Sequence, residues 1–194
     1  MTQIFGDFIE REAGTGEYLR IGFHPSSIPL QQRWRNNGLS ADFLADYVST
    51  FFPGEDPTST TRQIEIKDAI SYIANELLEN AMKFSFASAH QLVSIEMFLE
   101  TGSVILYTSN HMDPTLIEPF QVFLQRLLTE DTDELYVEQI ERNADDDSDG
   151  ASGLGFLTMI NDYGASLAWR FEFDERDNCS VMTMVKMALQ EGGS

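Results

Sequence analysis

The chain has 194 residues, 42% of them hydrophobic and fourteen of them Phe, and its 32 acidic and 12 basic side chains give a formal net charge of −20. This length suits one domain with a full core, while the charge excludes nucleic acid as a partner and disfavours an anionic membrane, since both need Lys and Arg. The single cysteine, Cys179, excludes an intrachain disulfide or a Cys-based zinc site, and with no membrane-length apolar run and no signal pattern in MTQIFGDFIEREAG a cytoplasmic protein is expected.

Residues 1–17 read as a short helix or arm around Ile4, Phe5, Phe8 and Ile9. Tyr18 to Phe23 alternates as a first strand before the His24-Pro25-Ser26-Ser27 turn. The stretch from Ile28 to Phe52 is interrupted at Asn36-Asn37-Gly38, so a helix is expected only from Ser40 onward. Arg33, Trp34 and Arg35 form a basic-aromatic spot, read first as a partly buried Trp with solvated neighbours. Pro53 to Pro57 is a loop, and Thr58 to Thr61 offer N-caps for the longest helix, which runs to about Phe84. Its apolar stripe is Ile66, Ile70, Ile73, Leu77, Ala81 and Phe84.

Gln91 to Glu100 and Ser103 to Tyr107 read as strands joined at Thr101-Gly102, the second ending in the polar set Thr108-Ser109-Asn110-His111. Asp113-Pro114 caps a helix through Leu128, and a shorter helix spans Leu135 to Asn143. Glu130 to Asp149 carries ten acids against one base, Arg142, and Ala144 to Gly150 reads as a mobile loop. Ser152-Gly153-Leu154-Gly155-Phe156 opens an apolar helix through Asn161. Ser166 to Phe173 and Ser180 to Met187 then form a closing antiparallel hairpin around Asp174 to Asn178.

The chemistry gathers in two stretches. Glu76 and Asn80 lie four residues apart, so on a helix they project from one face, a turn apart, at the margin of the buried stripe. A carboxylate and a carboxamide so placed can hold Mg²⁺, a hard ion that takes one or two protein oxygens and completes its shell with phosphate and water. Lys83 follows within reach of a phosphate. Gly153 and Gly155 at the start of a helix let backbone N–H groups approach a phosphate with the positive end of the dipole behind them.

The order of a Glu-x-x-x-Asn helix, a hairpin, a polar strand end, an acidic lid, a Gly-x-Gly helix start and two final strands resembles the GHKL-type ATPase domain of gyrase, histidine kinases and anti-sigma-factor serine kinases. The resemblance covers roughly residues 60–190. It implies an α+β two-layer sandwich, with a mostly antiparallel mixed sheet covered on one face by helices. Residues 1–57 would be an N-terminal extension packed on the same domain, and 58–194 an ATP-binding core with its lid at 129–152. By the same resemblance Glu76 would be the general base and Asn80 the magnesium ligand, with Gly153, Leu154 and Gly155 against the phosphates.

The family's Asp-x-Gly-x-Gly box, whose Asp accepts from the adenine amino group, has no counterpart after Tyr107. Thr108 or Asn110 would have to take that bond, which brings the chain nearer the SiaB-type kinases of bacterial partner-switching systems. The resemblance therefore implies a signalling regulator that binds Mg-ATP and phosphorylates Ser or Thr on a small antagonist, STAS-like partner, with homodimers common among such proteins. The alternative is a catalytically inactive adaptor that kept the fold for protein binding.

Overall fold

The strands of the computed structural model are β1 (Thr2–Phe5), β2 (Glu17–Phe23), β3 (Val93–Glu100), β4 (Ser103–Met112), β5 (Ser166–Phe173) and β6 (Cys179–Ala188). Its helices are α1 (Leu30–Ser49), α2 (Pro57–Lys83), α3 (Pro114–Thr129), α4 (Thr132–Asp145) and α5 (Leu154–Asn161). The structure describes residues 1–11, 16–24, 30–52, 56–85, 92–145, 153–176 and 178–189, with backbone alone at 30–34 and 143–145. The side chains of Arg33 and Trp34 therefore lie outside the described residues.

The strands form one sheet in the order β1-β5-β6-β4-β3-β2, and every pairing among them is antiparallel. The fold is the expected α+β sandwich. Ile95, Met97, Val104, Leu106, Trp169, Phe171 and Val185 point to the helix side and share one core with Ile70, Ile73, Leu77 and Leu78 of α2. Among the described residues, no helix is long and apolar enough to cross a membrane.

The sheet's other face is also apolar at its centre, through Phe98, Ile105, Tyr107, Ala168 and Met184. The N-terminal segment covers it. β1 pairs with β5, so the start of the chain is a strand rather than the helix or arm expected. At Gly6 the backbone turns with φ +74°, where a side chain would press to 2.7 Å from the Leu167 carbonyl oxygen. Phe8 and Ile9 then lie on the outer face. Tyr107 Oη donates to the Ile9 carbonyl at 2.7 Å, and the Ile9 N–H reaches Met184 Sδ at 3.3 Å. Arg170 sits 5.2 Å over the Phe8 ring, and Arg11 pairs with Glu100.

Three further expectations at element ends give way to packing. α1 runs unbroken through Asn36-Asn37-Gly38, because Asn37, Ala41, Leu44, Ala45 and Val48 step along one buried face that packs on α2. That burial outweighs the poor helix propensity of Asn and Gly. α2 is capped not by Thr58 to Thr61 but by Asp56, whose Oδ1 accepts from the N–H groups of Thr58 and Ser59 at 2.9 Å while Ser59 Oγ accepts from the Asp56 N–H. This capping box, with Pro57 at the first helical position, was hidden in a segment read as loop. β4 does not end at Tyr107. It continues to Met112, because β6 pairs with it along its whole length.

α3 begins at the expected Asp113 cap, whose side chain accepts from Thr115 N–H at 2.9 Å. α4 reaches Asp145, so most of the expected lid is helix, and the start of the acidic stretch read as a loop is helical too. The rest of that loop, 146–150, lies outside the described residues.

Candidate functional site

α2 buries Ile66, Ile70, Ile73, Leu77 and Ala81 against the sheet, which leaves Glu76 and Asn80 half-buried along one edge of the helix. Across from them α5 starts at Gly153, which holds φ +61° with the Phe123 ring 3.0 Å from where a β-carbon would be. Only glycine takes that backbone shape without strain. Gly155, in the first turn of α5, lies under the Glu76 carboxylate, so that a β-carbon on Gly155 would fall on Oε2 of that carboxylate.

These four residues line one pocket of about 250 Å³. Among the described residues its remaining polar lining is Gln139 and Arg142 from α4, and its apolar wall comes mainly from Phe84, Met112, Phe120, Phe123 and Phe156. Phe156 and Phe120 are themselves steadied edge-on by the buried Trp169, at 5.4 and 6.5 Å. A smaller recess of about 20 Å³ shares Asn80, Phe84, Met112, Phe120 and Phe156 with the pocket and ends on Thr108, Asn110 and Thr183.

Glu76, Asn80, Gly153 and Gly155 are thus brought together, and Thr108 and Asn110 meet them through the recess. Two expected site residues are not. Lys83 is exposed, with its ammonium 5.7 Å over the Phe84 ring, and Leu154 is not part of the pocket wall. Conversely Gln139, Arg142, Thr183 and the four phenylalanines were not expected as site residues. Arg142 carried a signal as the lone base in an acidic run, and Thr183 as a polar residue among Val181 and Val185 on an inward-facing strand.

Burial raises the pKa of Glu76 above the ordinary carboxylate value, and the neighbouring Glu79 adds to the shift. Arg142 pairs with Glu138 at 2.5 Å, and Glu138 also accepts from Arg126 at 2.6 Å, while Arg126 in turn holds Glu130 at 2.8 Å. The hydrogen bonds from Arg126 hold Glu138 below the usual carboxylate range. This ladder ties α3 to α4 and offsets part of the acidity around the pocket.

Among the described residues no group of three or more His, Cys, Asp or Glu could enclose a metal. Glu76 and Asn80 instead offer two hard oxygens beside open space, a donor set that fits Mg²⁺ arriving with phosphate and water. No protein-family model matches this chain, and comparison with curated proteins finds no significant match.

Proposed function

We propose that the chain binds Mg-ATP in this pocket and passes the terminal phosphoryl group to a Ser or Thr hydroxyl of a small regulatory partner protein, as in the anti-sigma and SiaB-type kinases it resembles. One observation carries the reading. Glu76 and Asn80 on α2 converge with Gly153 and Gly155 on α5 around a single pocket, although more than seventy residues separate the two pairs.

Each group has a chemical task. The first turn of α5 presents backbone N–H groups and the positive end of its dipole to phosphate. Asn80 Oδ1 would hold Mg²⁺, which supplies charge neutralisation at the β- and γ-phosphates. Arg142 provides the basic group among the pocket residues, to be shared between Glu138 and the polyphosphate. Glu76 takes the proton of the acceptor hydroxyl as its oxygen bonds to the γ-phosphorus and the bridging P–O bond to ADP breaks. A carboxylate with a raised pKa is the better base for that step. The phenylalanine wall offers an apolar face for the base.

Calorimetric titration of the full chain with ATP and Mg²⁺ tests the reading. Micromolar binding is expected, weakened at least tenfold in Asn80→Ala, followed by ATP-dependent phosphorylation of the captured partner that Glu76→Gln abolishes. No binding at millimolar ATP would sink it.

A second reading, an inactive adaptor, draws on the unbroken run of β4 from Ser103 to Met112. Nothing there opens the backbone as a glycine box would. On this reading Asn80→Ala leaves partner capture intact and no phosphorylated product forms.

A further inference from the structure

The recess beneath the pocket has a polar floor in an apolar setting. Thr108 of β4 lies directly across from Thr183 of β6, and Asn110 lies two residues further along β4, across from Val181. Around them the inward positions are Leu106, Met112, Val181 and Val185. Asn110 is only 6% exposed, and its Nδ2 meets no hydrogen-bond partner among the described residues. A buried amide N–H that no protein group pairs costs stability unless water or a ligand supplies the acceptor, and a ligand edge entering the recess would take the place of that water. The recess has room for about one water, so the edge of a ring lodged in the larger pocket could enter it, but not a whole ring.

We propose that Asn110 makes the site tolerant of the substituent at purine position 6, so that the protein binds 6-oxopurine triphosphates, GTP and ITP, as well as ATP. This rests on the nucleotide reading above. A carboxylate at this place could only accept, which favours a 6-amino group and repels a carbonyl. A carboxamide carries a donor and an acceptor on one planar head. With no hydrogen bond holding its nitrogen, the head of Asn110 can turn over to match either base. Toward a 6-aminopurine, Oδ1 accepts from the amino group and Nδ2 donates to ring N1. Toward a 6-oxopurine, Nδ2 donates to the carbonyl oxygen and Oδ1 accepts from N1–H. The hydroxyls of Thr108 and Thr183 also both donate and accept, and among the described residues no Asp or Glu lines the recess, so none of them biases the choice.

The test is titration of the full chain with MgATP, MgGTP and MgITP. The three dissociation constants are expected within about tenfold of one another, toward the low end of the roughly 5- to 150-fold discrimination that one bidentate pair to a fixed partner confers. In Asn110→Asp, GTP and ITP are expected to weaken by at least about tenfold relative to ATP. A wild-type preference beyond tenfold, in either direction, overturns the proposal, and needs no variant to fold. An Asn110→Asp protein that folds yet leaves the ratios unchanged overturns it too. ATP-selective binding leaves the nucleotide reading standing and removes this inference alone. Absence of binding by all three removes both.

Discussion

The carboxylate of Glu76 on α2 fills the space where a β-carbon on Gly155 of α5 would stand. This close approach makes Gly155→Ala a sensitive probe of the site. Helix propensity alone would favour Ala by up to about 1 kcal/mol. The added methyl must displace the Glu76 carboxylate, the far end of a flexible side chain, so the fold should hold while the acid moves away from its place beside Asn80. MgATP affinity is expected to fall at least tenfold in calorimetric titration while the far-UV spectrum stays unchanged. Shortening the acid in Gly155→Ala/Glu76→Asp should recover part of the loss. Unaltered affinity in the single variant would mean that the Glu76–Gly155 packing does not shape the site.

Glu76 should also weaken the fold at neutral pH. Its pKa is raised in the folded state by burial first and by Glu79 second. The folded chain therefore holds this proton to higher pH than the unfolded chain, and stability falls as pH rises from the ordinary value of 4.5 through the raised one. Glu76→Gln removes the penalty. Its melting temperature should exceed that of the wild type at pH 7, with the gap closing as pH falls below 4.5, the unperturbed value. A gap that persists unchanged in acid would point to a packing effect instead.

Asn37 offers a test of the helix layer. It is 1% exposed on α1, and among the described residues neither its Oδ1 nor its Nδ2 has a hydrogen-bond partner. Replacing an unpaired buried amide by an apolar group of similar size recovers the desolvation cost, about 1–2 kcal/mol. Asn37→Leu is expected to raise the urea midpoint accordingly. A loss of stability would show that the amide is satisfied by water.

The N-terminal segment on the outer face of the sheet is anchored by Tyr107, whose hydroxyl donates to the Ile9 carbonyl and whose pKa burial pushes up to about 12. Tyr107→Phe keeps the ring against Phe8, at 5.8 Å between centroids, and deletes the hydroxyl's bond to the Ile9 carbonyl together with its interaction with Arg11. The expected cost is about 1 kcal/mol, with faster amide exchange at Ile9 while α2 exchanges as before. Equal exchange at Ile9 in both proteins would show that the segment is held by its apolar contacts alone.

Periodicity located most of the elements because burial imposes it. The α2 stripe and the alternation in β2 are direct records of which side chains leave water. Glu76 and Asn80 were legible for the same reason, being polar residues one turn apart beside a buried stripe. Local signals failed where distant partners compensated for them. Asn36-Asn37-Gly38 looks like a helix break until α2 packs along it, and Thr108 to His111 looks like a strand end until β6 pairs with it. Thr2–Phe5 reads as part of a helix or arm because four residues carry too little pattern to announce a strand whose partner, β5, lies more than 160 residues away, with Thr2 opposite Glu172.

By itself the sequence determined the helix that carries Glu76 and Asn80, the glycines that open α5 and the absence of an intrachain disulfide, since each follows from residue type and short-range spacing, while the α+β class came from the resemblance that the order of these elements carries. Only the tertiary structure decided which of these residues meet. It set Glu76 on Gly155, brought Arg142 rather than Lys83 to the pocket, and placed Thr183 beside Thr108 and Asn110 at the floor of one recess. Such proximities depend on strand order and helix packing across the whole chain, and spacing along the sequence carries no measure of them.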